Sequence, residues 1–414
     1  MTNTLRILGA SLLIAFAASG SRVHAQTGPT VSILLNFTGS NGLYPFGALA
    51  YGNNGTLYGA TFAGGKYGYG DVFQLTQGFP GGPWTPAVLF NFQDPTTDGA
   101  NPYGDLLVGF NGTIYGTTTR GGAYGLGTAF ALEPPEQQGG TWTESVLCSF
   151  GSAPDDGVYP YSGLVMDFDG NLYGTTSLGG TYGLGTVYEL IASFGEGPYE
   201  ETVLYSFAGG TDVANPYATL AFGTNGTLYG TAPYGGGVDA GGVFALTPQF
   251  FGDWDESVLC AFPGGTNSAN PYGGVYVGES GGLYGATTNG GTTGAGTMYR
   301  CGQVPHTDTW DSIAIYNMPS YASSYGTPVA DVTGALYDTT PGAHGSQENN
   351  GIIFKLSPPS QEGGPWVETT LYNFPGSNGS GPRAGLTWGP GGALFGTTVG
   401  LGKAGTGTVY QLTF

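Results

Sequence analysis

Residues 172–190 read LYGTTSLGGTYGLGTVYEL, two short apolar runs joined by a glycine-rich loop. The same element begins at Leu57, Ile114, Leu172, Leu228, Leu283, Leu336 and Leu394, at spacings of 57, 58, 56, 55, 53 and 58 residues. A period that regular marks a repeat architecture in which each unit is one supersecondary element. Seven units fill nearly everything after Val31, so residues 26–414 are read as one domain in spite of their length.

Working outward, each unit carries four apolar runs of strand length. In the second unit they are residues 103–108, 114–118, 128–132 and 142–150, labelled A to D. Pairs such as Asn54-Gly55, Asn111-Gly112, Asp169-Gly170 and Asn225-Gly226 stand between A and B. They supply the positive φ angles of a tight two-residue hairpin, so A and B are antiparallel neighbours. The turn also accounts for the N-x-T sequons at Asn54, Asn111 and Asn225 without glycans. Strand C is a GTVY-like run whose β-branched and aromatic residues suit a pleated sheet. An aromatic opens D at Trp84, Trp142, Tyr199, Trp254, Trp310 and Trp366, a regularity that reads as packing.

Between D and the next A, Pro lies twelve residues before the Leu-Tyr position in six units (Pro45, Pro102, Pro160, Pro216, Pro271, Pro382), and Ser324 replaces it in the sixth. Proline lacks a ladder donor, so it is expected at the first residue of strand A. Four residues earlier stands Asn41, Asp98, Asp156, Asp212, Asn267 or Asn378, read as a turn residue bonded to its own backbone.

A lone four-stranded sheet of this size buries neither face, and stacking around a ring solves that. The fold class is therefore all-β, a seven-bladed β-propeller of four-stranded antiparallel blades. The last unit stops at Phe414 without a D strand, and residues 33–37, ILLNF, match residues 88–92, VLFNF, place for place. The N-terminal strand is expected to complete the last blade and close the ring. The competing membrane barrel needs strands of about nine to eleven residues, longer than these runs.

The repeats resemble the GloVer tandem-repeat family of secreted proteins, whose hallmark is LYGTT, GG, GTVF, over roughly residues 31–414. The resemblance implies a β-propeller and carries over no catalytic residue. Members often end in a sorting or anchoring segment, and this chain ends in a strand, so surface anchoring is not expected. Unit six departs most, with Asp338 in place of the glycine of LYG and PGAHGSQENNG in place of the glycine loop.

Composition limits the function. Gly supplies 81 of 414 residues and charged residues only 9%, which suits tight turns and leaves little for helix. Arg6, an apolar run over residues 7–18 and Val23-His24-Ala25 form a secretory signal with cleavage near Ala25. The protein is expected to be secreted, extracellular or periplasmic, monomeric and not inserted in a membrane. The charge is −20, and loss of Arg6 and Arg22 takes it to about −22, which excludes nucleic acid and anionic membrane surfaces as partners. Cys148, Cys260 and Cys301 are an odd number and read as three unpaired thiols, two of them replacing aromatics of strand D.

Two histidines in the mature chain, His306 and His344, rule out a histidine metal cluster or a triad in every blade. No cofactor is expected. Calcium has weak candidate ligands in Asp98, Asp156 and Asp212, but each unit offers one such oxygen side chain where a site needs six to eight oxygens. Antiparallel order puts the B–C and D–A loops on one face, with Tyr67, Tyr124 and Tyr182 at matching places in three adjacent units, beside Lys66 and Arg120. Aromatic faces stack on apolar sugar faces while polar groups bond hydroxyls. The function read from the chain is thus a binding module for a carbohydrate or other polar ligand on that face, the partner being an extracellular glycan or surface protein. The bland alternative is that these tyrosines cover glycine-rich backbone. The enzymatic alternative is a polysaccharide lyase or glycoside hydrolase in the degenerate sixth unit, seeded by Asp338, His344 and Glu348.

Overall fold

A computed structural model describes residues 28–414 apart from 53, 80, 138, 192–198, 251, 321, 343–349, 362 and 404. The seven units are seven blades of a β-propeller. Blade three is typical: its strands A to D are Val165–Met166, Leu172–Thr176, Thr186–Ile191 and Glu200–Ser206, paired antiparallel in that order. The last sheet is assembled from both ends of the chain: Thr387–Trp388, Leu394–Thr398, Thr408–Thr413, then Thr30–Asn36, with Ile33 opposite Tyr410 and Leu35 opposite Val409. The described residues contain no α-helix. Their only helical turns are two three-residue 3-10 turns, Thr224–Gly226 and Pro390–Gly392, both inside A–B turns.

The core lies between blades. One layer joins Leu35, Phe37, Phe395 and Val409 of blade seven to Leu49, Leu57, Phe73 and Leu75 of blade one, and six more layers of this kind complete the ring. All seven C–D ladders carry one extra residue on strand D, at Leu34, Leu89, Leu147, Leu204, Leu259, Ile315 and Leu371. Such a bulge increases local twist, and its recurrence gives every blade the same shape at its outer edge.

Strand D's leading aromatic packs on the previous blade, as in Tyr58–Trp142, Tyr173–Trp254 and Phe395–Trp84, with centroids 6.3, 5.9 and 5.5 Å apart. In blade seven Pro29 holds that place. The terminal Phe414 supplies the aromatic instead, 5.9 Å from Tyr337 and 6.5 Å from Trp388.

Three expectations are corrected. The A–B turns are three-residue loops: Val108 pairs with Ile114 and Gly109 N donates to Thr113 O (2.8 Å), so residues 110–112 form the loop and Gly112 takes φ 86°. A type I turn followed by a left-handed glycine suits the twist of the flanking strands as well as a two-residue turn does. The proline does not open strand A, which is only two residues long in every blade (Leu107–Val108 in blade two); four or more residues intervene, and they line the axis. Finally, Cys260 and Cys301 form a disulfide with Cα atoms 6.2 Å apart, leaving Cys148 as the one free cysteine. Strand D of blade four lies against strand C of blade five, so the two thiols meet in one interblade core layer although they belong to different units.

Candidate functional site

The residue before the repeat's proline sits in the left-handed region in six blades: Tyr44 (φ 58°), Asn101 (60°), Tyr159 (57°), Asn215 (57°), Asn270 (55°) and Gly381 (64°). Asparagine tolerates this conformation, and here its side chain is also used. Asn101, Asn215 and Asn270 each donate Nδ2 to a carbonyl of the preceding blade, those of Phe62 (2.8 Å), Ser177 (2.8 Å) and Pro233 (2.7 Å). In every blade the next side chain beyond the proline position faces the axis.

That next side chain is Phe46, Tyr103, Tyr161, Tyr217, Tyr272, Tyr325 or Arg383, one from each blade, and together they form the wall of a bowl of about 260 Å3 at the mouth of the central channel. Centroids of successive rings are 4.8, 5.1, 5.1, 5.4 and 6.0 Å apart, and Arg383 Cζ lies 5.2 Å from the Tyr325 ring. Phe62, just beyond a B strand, packs on Phe46 and Tyr103, and Tyr234 shares a 2.8 Å hydrogen bond with Tyr272. The bowl therefore opens on the face of the B–C and D–A loops.

Deeper along the channel the floor is small and polar. Asp105 Oδ1 accepts from Ala48 N (2.6 Å), and Asp105 Oδ2 accepts from Thr219 Oγ1 of blade four (3.1 Å), tying blades one, two and four. Gly163 N and Gly274 N donate to the hydroxyls of Thr219 and Thr327, each at 2.9 Å. Neighbouring backbones approach so closely that a Cβ on Gly104 would lie 2.4 Å from Gly163 N, and one on Gly273 2.1 Å from Gly326 O. Burial pushes the phenols of Tyr103, Tyr217 and Tyr272 above the ordinary tyrosine value; at Tyr103 the nearby Arg383 charge works in the opposite sense. These rings are neutral at physiological pH and act as stacking surfaces and hydroxyl partners.

The candidates from sequence are placed as follows. Tyr67, Tyr124 and Tyr182 are 43, 53 and 61% exposed in the B–C loops, and among the described residues none of the three stacks on another. Lys66 and Arg120 are exposed beside them, with Lys66 Nζ 4.9 Å from the Tyr67 ring centre. Asp98, Asp156 and Asp212 make turns: Asp156 Oδ2 accepts from Gly151 N and Ser152 N (both 2.7 Å), Asp98 Oδ2 from Gln93 N (3.0 Å), and Asp212 Oδ2 from Ala208 N (2.7 Å). Among the described residues no three His, Cys, Asp or Glu side chains group as metal ligands. Asp338 is wholly buried and receives Ser324 Oγ (2.6 Å) and Thr339 N (2.7 Å). The two departures of unit six, Ser for Pro and Asp for Gly, thus bond each other. His344 and Glu348 lie outside the described residues.

A second recurrent set of groups sits at the outer edge, where Glu144, Glu201 and Glu256 of strands D each face the turn aspartate of the preceding connection, Asp98, Asp156 and Asp212. Burial, reinforced by that aspartate, pushes Glu144 and Glu256 up to about 7 and Glu201 up to about 8. Cys148 Sγ donates to Glu201 Oε2 at 3.0 Å.

The model of the Gloeobacter/Verrucomicrobia repeat matches residues 19–244 and 138–317, well over half of the chain. The chain belongs to the Gloeobacter/Verrucomicrobia repeat family. No curated protein matches it. Among solved structures this repeat protein is similar to an ancestral GH74 enzyme, at 14% identity and a TM-score of 0.57 over 90% of this chain and 48% of that one, so it spans about half of the GH74 protein. It is also similar to a glucose dehydrogenase (14% identity, TM-score 0.44, 92% of this chain and 99% of that chain). A gluconolactonase from Xanthomonas campestris matches at 13% identity and a TM-score of 0.41, over 93% of this chain and 94% of that one. At these identities the likeness is one of fold, which hosts many unrelated chemistries.

Proposed function

We propose that this member of the Gloeobacter/Verrucomicrobia repeat family is an exported, non-catalytic binding module that holds a carbohydrate or similar ring-shaped polar ligand in the central bowl. The observation that carries the reading is the run of six partly exposed aromatic rings, Phe46 to Tyr325, facing one small polar-floored cavity. Aromatic faces stack on the apolar faces of sugar rings, and the Asp105 carboxylate and threonine hydroxyls below supply partners for sugar hydroxyls. At about 260 Å3 the bowl is just under the roughly 300–1,000 Å3 usual for small-molecule sites, so it suits a single ring or the end of a chain. The wall is already built: short ladders such as Gly157–Val158 with Leu178–Gly179 tie D–A connections to B–C loops, which lowers the ordering cost of binding.

The exposed Tyr67, Tyr124 and Tyr182, with Lys66 and Arg120, would extend contacts for a longer glycan on the same face. Export fits the leader read from residues 1–25 and the Cys260–Cys301 disulfide, a bond that persists in oxidising compartments. The test is a glycan array run beside reducing-sugar and unsaturated-product assays on the bound polysaccharides. Binding without product, lost in Tyr161→Ala, is expected. Product release would make the protein an enzyme, and silence in both assays would leave a structural or protein-binding role.

A further inference from the structure

We infer that the bowl recognises the end of a glycan chain and does not take an internal segment. This deepens the carbohydrate reading of the bowl and rests on it. The seven wall positions are equivalent by repeat, one to each blade, and a segment lying across them needs two openings, one to enter and one to leave. Five of the seven intervals are shut by ring-to-ring packing, from Phe46 round to Tyr325, with centroids 4.8 to 6.0 Å apart, the separation of aromatic rings in contact. Arg383 shuts a sixth by packing on Tyr325, its Cζ 5.2 Å from the ring centre. At most one interval is left, between Arg383 and Phe46. The first interval is also backed from outside, where Phe62 packs on both Phe46 and Tyr103 with centroids 5.5 and 6.1 Å away.

The axis offers no second way out. Below the rings, backbones of adjacent blades abut at glycines: a Cβ on Gly47 would lie 2.5 Å from Gly104 O, and one on Gly326 2.9 Å from Gly385 N. Asp105 of blade two reaches past blade three to the Thr219 hydroxyl of blade four at 3.1 Å, so side chains two blades apart meet at the floor. The bowl is therefore a blind pocket of about 260 Å3 with one mouth, on the face of the B–C and D–A loops. An internal sugar residue carries glycosidic bonds on two sides of its ring, and one of them would run into the wall or the floor. A terminal residue carries a single such bond. It can seat its ring faces on the tyrosines and its hydroxyls on the floor while that bond points out through the mouth. The rest of the chain then leaves over the loops that carry the exposed Tyr67, Tyr124 and Tyr182.

The experiment is a calorimetric titration of the mature protein with maltohexaose, β-1,4-galactohexaose and chitohexaose. Each is set against its soluble polymer (amylose, galactan, glycol chitin) at equal concentration of sugar residues, and maltohexaose also against the endless ring cyclomaltohexaose. For a sugar that binds, affinity per residue should fall in inverse proportion to chain length, with one protein bound per chain, and the cyclic glucan should not bind. Tyr161→Ala should weaken the linear hexasaccharide at least about tenfold, the scale of losing a stacked ring at a hot spot, which places the chain end in the bowl. The length dependence is read on the wild type and so does not depend on that variant folding. Equal affinity per residue for hexasaccharide and polymer, with several proteins along each polymer chain, overturns chain-end recognition and leaves the carbohydrate reading standing. Binding of the cyclic glucan as tightly as of maltohexaose overturns it in the same way. One protein per chain with undiminished binding by Tyr161→Ala overturns the bowl as the place where the end is held, and silence across all three sets overturns both inferences.

Discussion

Raising the pH from 5 to 8.5 is expected to destabilise this protein, because five buried or half-buried acids are held protonated in the folded state. Burial pushes Asp71 and Asp338 up to about 7. Burial together with the facing aspartates pushes Glu144, Glu201 and Glu256 up to about 7, 8 and 7. In the unfolded chain these groups titrate near 4, so between pH 4 and 8 the folded state binds more protons and stability falls as pH rises. Their contribution is fully present below the unfolded values and is lost by about pH 8. Each tenfold change in proton affinity between the folded and unfolded chain is worth about 1.4 kcal/mol, so Asp338, wholly buried, accounts for at most about 4 kcal/mol. Asp71, equally buried and raised to the same value, has the same ceiling, while Glu144, Glu201 and Glu256 are partly open to water and solvent screening removes most of theirs, which leaves a total of at most roughly 8 kcal/mol. Asp331 works oppositely: hydrogen bonds led by Thr333 and Tyr337 outweigh its burial and hold it at about 2, so its contribution is lost only in strong acid. Urea midpoints at pH 5, 6, 7 and 8.5 measure the slope. Glu201→Gln should flatten it at pH 8 and change little at pH 5. A midpoint that is flat or rising from pH 5 to 8.5 would refute the assignment of protonated acids to the blade interfaces.

The Cys260–Cys301 bond closes a separation of 41 residues, so Cys260→Ser should cost about 4 kcal/mol by loop-closure entropy, and thiol titration of the denatured, unreduced protein should find one group. A chain starting at Gly39 lacks Leu35 and Phe37, buried side chains contributing about 1.5 to 3 kcal/mol each, and should melt well below the mature protein; equal melting would show that the first strand does not hold the last blade. Phe414→Ala removes the aromatic that packs on Tyr337 where Pro29 provides none, and should cost about 1 kcal/mol in a denaturation curve, the scale of one aromatic pair.

The blades were legible because their physics is local and repeated: a hairpin glycine before each Leu-Tyr, a β-branched C strand, and an aromatic opening D. The bowl is harder to see, although its signal lies in the same repeat, since an aromatic follows the proline position in six units. By sequence those residues belong to the start of strand A, and periodicity alone does not say that the chain leaves the sheet there. In six units the residue before the proline position is left-handed, and Asn101, Asn215, Asn270 and Gly381 hint at it by residue type. The disulfide was missed for a related reason. Cys148 and Cys260 occupy equivalent positions two blades apart and cannot meet, whereas Cys301 is on a different strand of the adjoining blade and faces Cys260 directly. Asp338 looked like a catalytic seed because it breaks the repeat; with Ser324 it forms a buried pair that fits two replacements together.

The central claim, that ligand sits among the wall residues of the axis and not on the outer loops, is tested most directly by titrating one monosaccharide into the wild type, Tyr161→Ala and Tyr124→Ala. Loss of at least tenfold in affinity for Tyr161→Ala, with Tyr124→Ala within about twofold of wild type, is the expected result, since a stacking aromatic at a binding hot spot is worth about 1.5 kcal/mol or more. Undiminished binding by Tyr161→Ala together with loss in Tyr124→Ala would contradict it and move the site to the exposed B–C loops.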